Sequence, residues 1–469
     1  MTPLLCAGIG KAQTAPIAPD RPWHAPEEQR LEKAAPMQQQ PALTIDAKAT
    51  YDLADLINLA EEHNPETKVA WAQARERADA VGIARSELYP TLAVLAMAGV
   101  QRYEVYLNTR FYRQTGAAFD LPLDLSYTIF DFGARSGRID AAKANLLGAD
   151  FAFNDVHRRL IYQVAAGYYQ LLNATGQEEA ARAALANAQA VQQAAEAMLQ
   201  NGLATLPDVL EARAATAQAD YDLQAALGGE EVAHGNLLTA LGGSPVAAIS
   251  VQPIDALKIP DTIEMTVDEA IDQAVAQRPD LMERVAAIRA ATAQIKEAHA
   301  AYFPTLQVHS AADPQALYAL QQTLPWGSTA DLDGEVNFRL NWTLFDGGAR
   351  KNRVAQARDQ LRAAQADAAA TRDDIENSVW TAYSNLKTAF RQREAAAALL
   401  TASDQSYNAA LASYHAGVRN LLDVTQAQQT LAHARSTDVL ARAQVLTALA
   451  DLAFETAQSI QPTPARPQP

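Results

Sequence analysis

One pattern occurs twice along this chain. When residues 51–245 are laid over 266–460, the same landmarks fall into register at a spacing of 214 to 215. Asn64-Pro65-Glu66 meets Arg278-Pro279-Asp280, and Tyr89-Pro90-Thr91-Leu92 meets Phe303-Pro304-Thr305-Leu306. Phe130-Asp131-Phe132-Gly133-Ala134-Arg135 meets Phe345-Asp346-Gly347-Gly348-Ala349-Arg350, and the stretch from Gly202 to Asp208 meets Gly417 to Asp423. Four matches in one register mark a tandem duplication, so whatever one half folds into, the other must mirror.

Within each copy the apolar spacing changes from helical to alternating and back. From Asp52 to about Glu87, and from Val267 to about Ala301, apolar residues recur with helical spacing until Tyr89-Pro90 or Phe303-Pro304 ends the run. Then Phe119, Leu121, Leu123, Leu125, Tyr127 and Ile129 alternate with Asp120, Pro122, Asp124, Ser126 and Thr128. In the second copy Val336, Phe338, Leu340, Trp342 and Leu344 alternate with Glu335, Asn337, Arg339, Asn341 and Thr343. Such alternation puts the apolar side chains on one face of a strand and the polar ones on the other. A half-buried strand of a soluble sandwich reads the same way. Three features favour a membrane strand instead: a length of about 10–12 residues, aromatic residues (Tyr127, Phe130, Trp342, Phe345) near the ends, and charges on the polar face. The expected strands are about 91–106 and 118–131, then about 305–313 and 333–346. Leu92 to Val100 is almost continuously apolar, which hides its register.

Long helices follow. No proline occurs from Gly133 to Asn201 or from Gly348 to Ala416, and alanine, glutamine and arginine dominate both runs. A single helix of that length spans roughly 100 Å at about 1.5 Å per residue, too long for a globular domain. On helix composition alone a purely structural coiled coil would suffice; the alternating segments tell against it. Each long helix ends in a tight reversal, with Gly202 and Gly417 where a left-handed residue is expected. Thr205 and Asn420 are then good N-caps, each with an acid three residues on, Asp208 and Asp423. Those acids have a sufficient structural explanation at a helix start. In an oligomeric tube they would also ring one mouth and attract cations.

Composition removes other classes. The charge balance is acidic, 38 Lys+Arg against 54 Asp+Glu for a net of −16, which speaks against nucleic acid as a partner. One cysteine, Cys6, rules out an intramolecular disulfide framework and zinc sites built on two or more thiolates, and no two of the eight histidines fall three or four residues apart to present a metal face on one helix. No cofactor or metal site is expected, and no nucleotide, metalloprotease or serine-hydrolase motif occurs, so the chain is not expected to be an enzyme. Pro3 to Ile9 resembles the end of a secretory signal without its basic segment, so a signal remnant is expected there, with a misassigned or truncated start. Cys6 is a candidate for lipid attachment, although Leu5 is bulkier than the usual preceding residue. The organisation is then 1–42 as signal remnant or lipid-anchor region plus Pro-rich linker, 43–250 and 251–460 as the two repeats, and 461–469 as a disordered tail.

Two hairpins per chain give four membrane strands, too few to close a barrel, and open sheet edges are not tolerated in lipid. Chains must pool their strands. Two would give eight, whose bore side chains fill; three would give twelve and a channel.

Taken together, the Asn64-Pro65 helix start, the Tyr89-Pro90-Thr91 and Phe303-Pro304-Thr305 stops, the Phe130-Asp131-Phe132-Gly133 and Phe345-Asp346-Gly347-Gly348 elbows, and the two glycine tips resemble the outer membrane efflux protein family, the TolC-like tunnel proteins of Gram-negative bacteria. The resemblance covers roughly residues 43–460. It implies an α+β membrane protein: a homotrimer whose 12-stranded outer membrane β-barrel continues into a long periplasmic α-helical barrel. It implies an exit duct for efflux or type I secretion, partnered by a periplasmic adaptor and an inner-membrane pump of the RND, ABC or MFS type, and set in outer membrane lipid. It also implies a periplasmic gate. Tyr414, Gly417, Arg419 and Asp423 match the family's second-repeat motif and Asp208 its first-repeat acid, with Arg419 bridging to Asp208 and opening like an iris. Gln426 stands where some members carry a second aspartate, which puts a double acidic ring in doubt. The alternatives are a periplasmic adaptor, which should show one helical hairpin flanked by soluble β modules, and a coiled-coil scaffold, which should lack the alternating strands.

Overall fold

The computed structural model describes residues 49–458, apart from 108, 255, 256, 258, 261, 264 and 322–325. The region 1–42 with Cys6, and the tail 461–469, lie outside the described residues. Each repeat begins with an 11-residue helix, α1 (Leu53–His63) or α5 (Val267–Gln277), followed by a 22-residue helix, α2 (Pro65–Ser86) or α6 (Pro279–Ala300). A β-hairpin follows. Then come a 67-residue helix, α3 (Ala134–Gln200) or α7 (Ala349–His415), and a 35-residue return helix, α4 (Leu206–Ala240) or α8 (Leu421–Glu455). Helix for helix, the lengths agree.

Local chemistry fixes the boundaries. Asp52 and Thr266 cap α1 and α5 in capping boxes with Asp55 and Glu269, which satisfies backbone N–H groups that have no partner within the helix. Pro65 and Pro279 open α2 and α6, where a missing N–H costs nothing. Both long helices start at a left-handed glycine, Gly133 (φ 98°) or Gly348 (φ 89°).

The strands form one sheet. β2 (Thr91–Val94) and β3 (Met97–Leu107) run as two parts of one edge strand, and β4 (Arg110–Asp120) and β5 (Leu123–Phe130) as two parts of the next. The second repeat supplies β7 (Thr305–Gln321) and β8 (Gly327–Asn341). All neighbours are antiparallel: β2 pairs β5, β3 pairs β4, β4 and β5 pair β7, and β7 pairs β8. The break between β4 and β5 falls at Leu121-Pro122, since proline has no N–H for the ladder. Around it Leu121 N–H donates to the Pro314 carbonyl and Leu95 N–H to that of Pro122. β7 continues to Gln321, beyond the expected end near 313, and β8 starts earlier and stops at Asn341. Small residues such as Ala311, Ala312 and Ala316 blur the alternation there. Separately, a two-residue parallel bridge joins β1 (Thr50–Tyr51) to β6 (Ser250–Val251).

The helical core is alanine-rich, with Leu56, Leu160, Val164, Tyr168, Leu237 and Leu241 among its fully buried side chains. Each such aliphatic side chain contributes about 1.5–3 kcal/mol relative to exposure. No helix among the described residues is long and apolar enough to cross a membrane.

Candidate functional site

Three places carry the features that sequence reasoning singled out: the sheet, the elbow where strands meet long helices, and the two helix-hairpin tips.

The register sorts the sheet's faces. Leu340 opposes Leu306, Phe338 opposes Val308, Tyr127 opposes Val308 and Leu125 opposes Leu92, so one face is apolar. Those residues have no core to fill: Leu92, Val94, Val100, Val336, Phe338 and Leu340 are all exposed. Apolar area of this extent outside a core marks a contact surface for lipid or protein. The other face is polar. His309 Nε2 lies 3.6 Å from Asp124 and 3.7 Å from Glu335, Gln315 donates to Asp333 at 2.6 Å, and Gln307 faces Thr128. The run from Leu92 to Val100 resolves as Leu92, Val94, Ala98 and Val100 on the apolar face, with Ala93 and Gly99 on the other. Each outer strand has a partner on one side only, so both edges of the sheet are open within the chain.

At the elbow the two repeats build the same device. Asp131 accepts from the N–H groups of Gly133 (3.2 Å) and Arg135 (2.8 Å) and from Arg135 Nε (2.9 Å). Asp346 does the same with Gly348 (3.1 Å), Arg350 N–H (2.9 Å) and Arg350 Nε (2.8 Å). The carboxylate thus caps the long helix while holding the arginine of its first turn. For Asp131, burial alone would raise the carboxyl pKa, but the hydrogen bonds from Arg135 and Gly133 and the Arg135 charge hold it below its ordinary value. Arg135 also donates to the carbonyls of Glu87 and Ile129, and Arg138 bridges Glu87 and Glu297. The elbow therefore ties the sheet to α2, α3 and α6. Sequence reasoning used these residues as landmarks of the duplication and of the family resemblance and gave them no role of their own; the recurrence of aspartate and arginine four apart around a glycine was the available signal.

The tips show where the predicted gate residues stand. Both long helices end in the same reversal. Gly202 N–H donates to the Leu199 carbonyl and Leu203 N–H to that of Met198, while Gly417 and Val418 bond to Tyr414 and Ser413 in the same way. Leu203 and Val418 protrude, each 78% exposed. At the first tip, the N–H and hydroxyl of Thr205 both donate to Asp208 Oδ2 at 2.7 Å, which lowers the Asp208 pKa. At the second, Asn420 Oδ1 accepts from the Asp423 N–H at 3.0 Å, a cap that leaves the Asp423 carboxylate unused by its own turn. Beneath both tips, Val191, Ala195, Val209, Tyr407, Tyr414, Leu421 and Val424 form one cluster spanning all four helices. Tyr414 is buried there and its hydroxyl has no hydrogen-bond partner among the described residues; burial first, then the nearby Asp208 charge, raises its pKa. The fold thus brings Tyr414 to Asp208. It does not bring Arg419 there: within one chain Arg419 is exposed and takes part in none of the described ion pairs, and Asp208 is held by Thr205 instead. No cluster of metal-ligating side chains occurs among the described residues.

The family model for outer membrane efflux proteins matches residues 56–243 and again 270–457. The chain belongs to the outer membrane efflux protein family. It is 29% identical over 408 residues to protein CyaE of Bordetella pertussis, covering 86% of this chain and 83% of that one. It is 26% identical over 410 residues to the pyoverdine export outer membrane protein OpmQ of Pseudomonas aeruginosa, covering 83% and 82%. Among solved structures, the outer-membrane channel OprN superposes with a TM-score of 0.77 at 20% identity, over 91% of this chain and 99% of that one. The open state of the MtrE outer membrane channel of Neisseria gonorrhoeae gives 0.68 at 19% identity, over 90% and 97%. These likenesses set aside the adaptor and scaffold alternatives. This family member is an outer membrane exit duct reaching into the periplasm, and the family is one of channels, not enzymes.

Proposed function

We propose that three copies of this efflux protein join their sheets into a closed 12-stranded barrel that continues into a tube of helices, and that the tube is recruited by a periplasmic adaptor and an inner-membrane pump. The observation that carries this is the pair of open edges on a sheet whose outer face is apolar. In lipid every backbone N–H and C=O must find a partner, so the β2/β3 edge of one copy pairs with the β8 edge of the next. Twelve strands leave a water-filled bore, consistent with the Asp124, His309, Glu335 and Arg339 side of the sheet facing inward.

Closure is proposed at the tips. The Asp208 charge acts on the Tyr414 hydroxyl, and Arg419, exposed and in none of the ion pairs among the described residues, would make its closing contact with an acid of a neighbouring copy. Of the two tip acids, Asp423 has the freer carboxylate. Opening would splay the hairpins. Reconstitution in a planar bilayer tests the duct: discrete conductance steps are expected, and a preparation that inserts yet never conducts would overturn it.

A further inference from the structure

Below the sheet, α8 lies between α3 and α7, and the three helices line an open recess of about 670 Å³. Gln444 and Asp451 line it from α8, whereas Leu449, about half a helical turn from Asp451, packs against the buried cluster that Ile259 and Ile263 also cover. Closing this layer into the proposed tube with the Ile259 and Ile263 segment outside would place the recess on the bore.

Nine of the fifteen lining residues are neutral hydrogen-bonding groups, among them Tyr162 and Tyr169 from α3 and amides such as Asn173, Asn385 and Gln444 from all three helices, with alanines and Leu440 between them. Burial pushes the Tyr169 hydroxyl up to about 12, so it stays an uncharged phenol. Asp451 is the single ionisable acid of the lining. It belongs to none of the described ion pairs, whereas Glu455, one turn on, is taken by Arg278. Burial and the Glu455 charge raise the Asp451 pKa while the Tyr162 hydroxyl opposes them, the signature of a carboxylate lacking a cation. At the far end Asn173 Oδ1 is buried and has no hydrogen-bond partner among the described residues. Tyr162 touches Asp451, and Asn173 is eleven residues further along α3, roughly 16 Å away along the helix at about 1.5 Å per residue.

We infer that this recess is a binding subsite for an elongated, hydrogen-bond-donating organic cation, with a primary ammonium on Asp451 flanked by the tyrosine rings and a second N–H donor on Asn173 Oδ1. A protonated amine satisfies a lone carboxylate and gains from adjacent aromatic faces. Each copy would carry one such subsite in the duct wall. The location in the bore rests on the trimeric duct reading; the binding chemistry belongs to the single chain.

The test is calorimetric titration of the full chain in detergent with spermine, at neutral pH and moderate salt. One saturable site per chain is expected. Asp451→Asn should weaken it at least tenfold, and Asn385→Lys, which places a competing cation across the recess, should abolish it. Asp222→Asn, an exposed acid on α4, should leave it unchanged. Because the chain is acidic overall, diffuse attraction is the rival explanation: equal losses in Asp222→Asn and Asp451→Asn, or no saturable site, would overturn the inference. Melting curves of both recess variants identify any that fail to fold. Conductance of the same preparations separates the two readings, since a conducting trimer without a spermine site refutes the subsite and spares the duct.

Discussion

The two repeats share every helix length but differ in how they latch the base of the return helix. In the first, Asn64 accepts from the Glu66 N–H at 2.7 Å and donates to the carbonyl of Ala240, the last residue of α4. In the second, Arg278 holds Asp280 and reaches Glu455, the last residue of α8, with Ser378 bridging. Both latch residues are buried at equivalent corners. The backbone geometry is shared by the two repeats while the chemistry of the joint differs, a neutral amide in one and an ion network in the other. Burial makes that network unforgiving. A single amide can be lost at the price of two hydrogen bonds, whereas removing one member of a buried ion pair strands charge.

The largest expected effect follows. Arg278→Ala should cost about 3–5 kcal/mol by stranding Glu455 and leaving Asp280 only the more distant Arg158, and Asn64→Ala about 1–2 kcal/mol, both read from denaturant unfolding. Equal costs would break the comparison. The same contrast has a pH signature. Burial would raise the Asp280 pKa, but the hydrogen bond and charge of Arg278, with the charge of Arg158, hold it below its ordinary 3.8. A depressed folded pKa stabilises above the ordinary value and is lost as pH falls through the depressed one. The melting temperature of the unmodified chain should therefore drop more steeply below about pH 4 than that of Asp280→Asn.

The elbows come next. Asp131→Asn should destabilise by about 2–3 kcal/mol, because it weakens a charged cap and the Arg135 anchor together. Asp346→Asn should cost less, since Asp346 is more exposed and Arg350 lacks the carbonyl contacts that Arg135 makes to Glu87 and Ile129. A larger loss at Asp346 would contradict that ranking.

The return helices end differently too. Gly242 is left-handed (φ 77°), and a Cβ there would sit 3.1 Å from the Asn64 backbone, while the equivalent Ala457 adopts φ 55° with its own side chain. Gly242→Ala should destabilise by more than about 1 kcal/mol, and Ala457→Gly should be neutral to stabilising by up to about 1 kcal/mol, measured as shifts in melting temperature.

How far the sequence could be read depended on the scale of the feature. The proline-free, alanine-rich stretches and the glycines at 202 and 417 are local signals, and α3 and α7 occupy those stretches. The strands were legible where large apolar residues alternate with charges, as from Glu335 to Asn341, and illegible where alanine and glycine serve both faces, as in β3, β4 and the far half of β7. Side-chain partnerships were the least legible. Thr205 and Asp208 could be seen as a helix start, but the Thr205 hydroxyl joining its N–H on the same oxygen could not. Asp451 carried no motif at all; its isolation from positive charge exists only once three distant helices are packed.

The smallest effect on stability, and the most direct on function, is at the tips. Arg419→Ala should leave the melting temperature within about 0.5 kcal/mol equivalent, as for exposed residues, yet raise single-channel conductance. Unchanged conductance would reduce Arg419 to a surface side chain and leave Asp208 as a helix cap only.

The duct itself depends on open sheet edges finding partners in other copies. The mass of the purified chain in detergent, by light scattering after isolation from outer membranes, tests that directly. A particle holding three chains of 50.4 kDa each, recovered only with detergent, is the predicted result. A monomer or dimer that stays in solution without detergent would contradict the account.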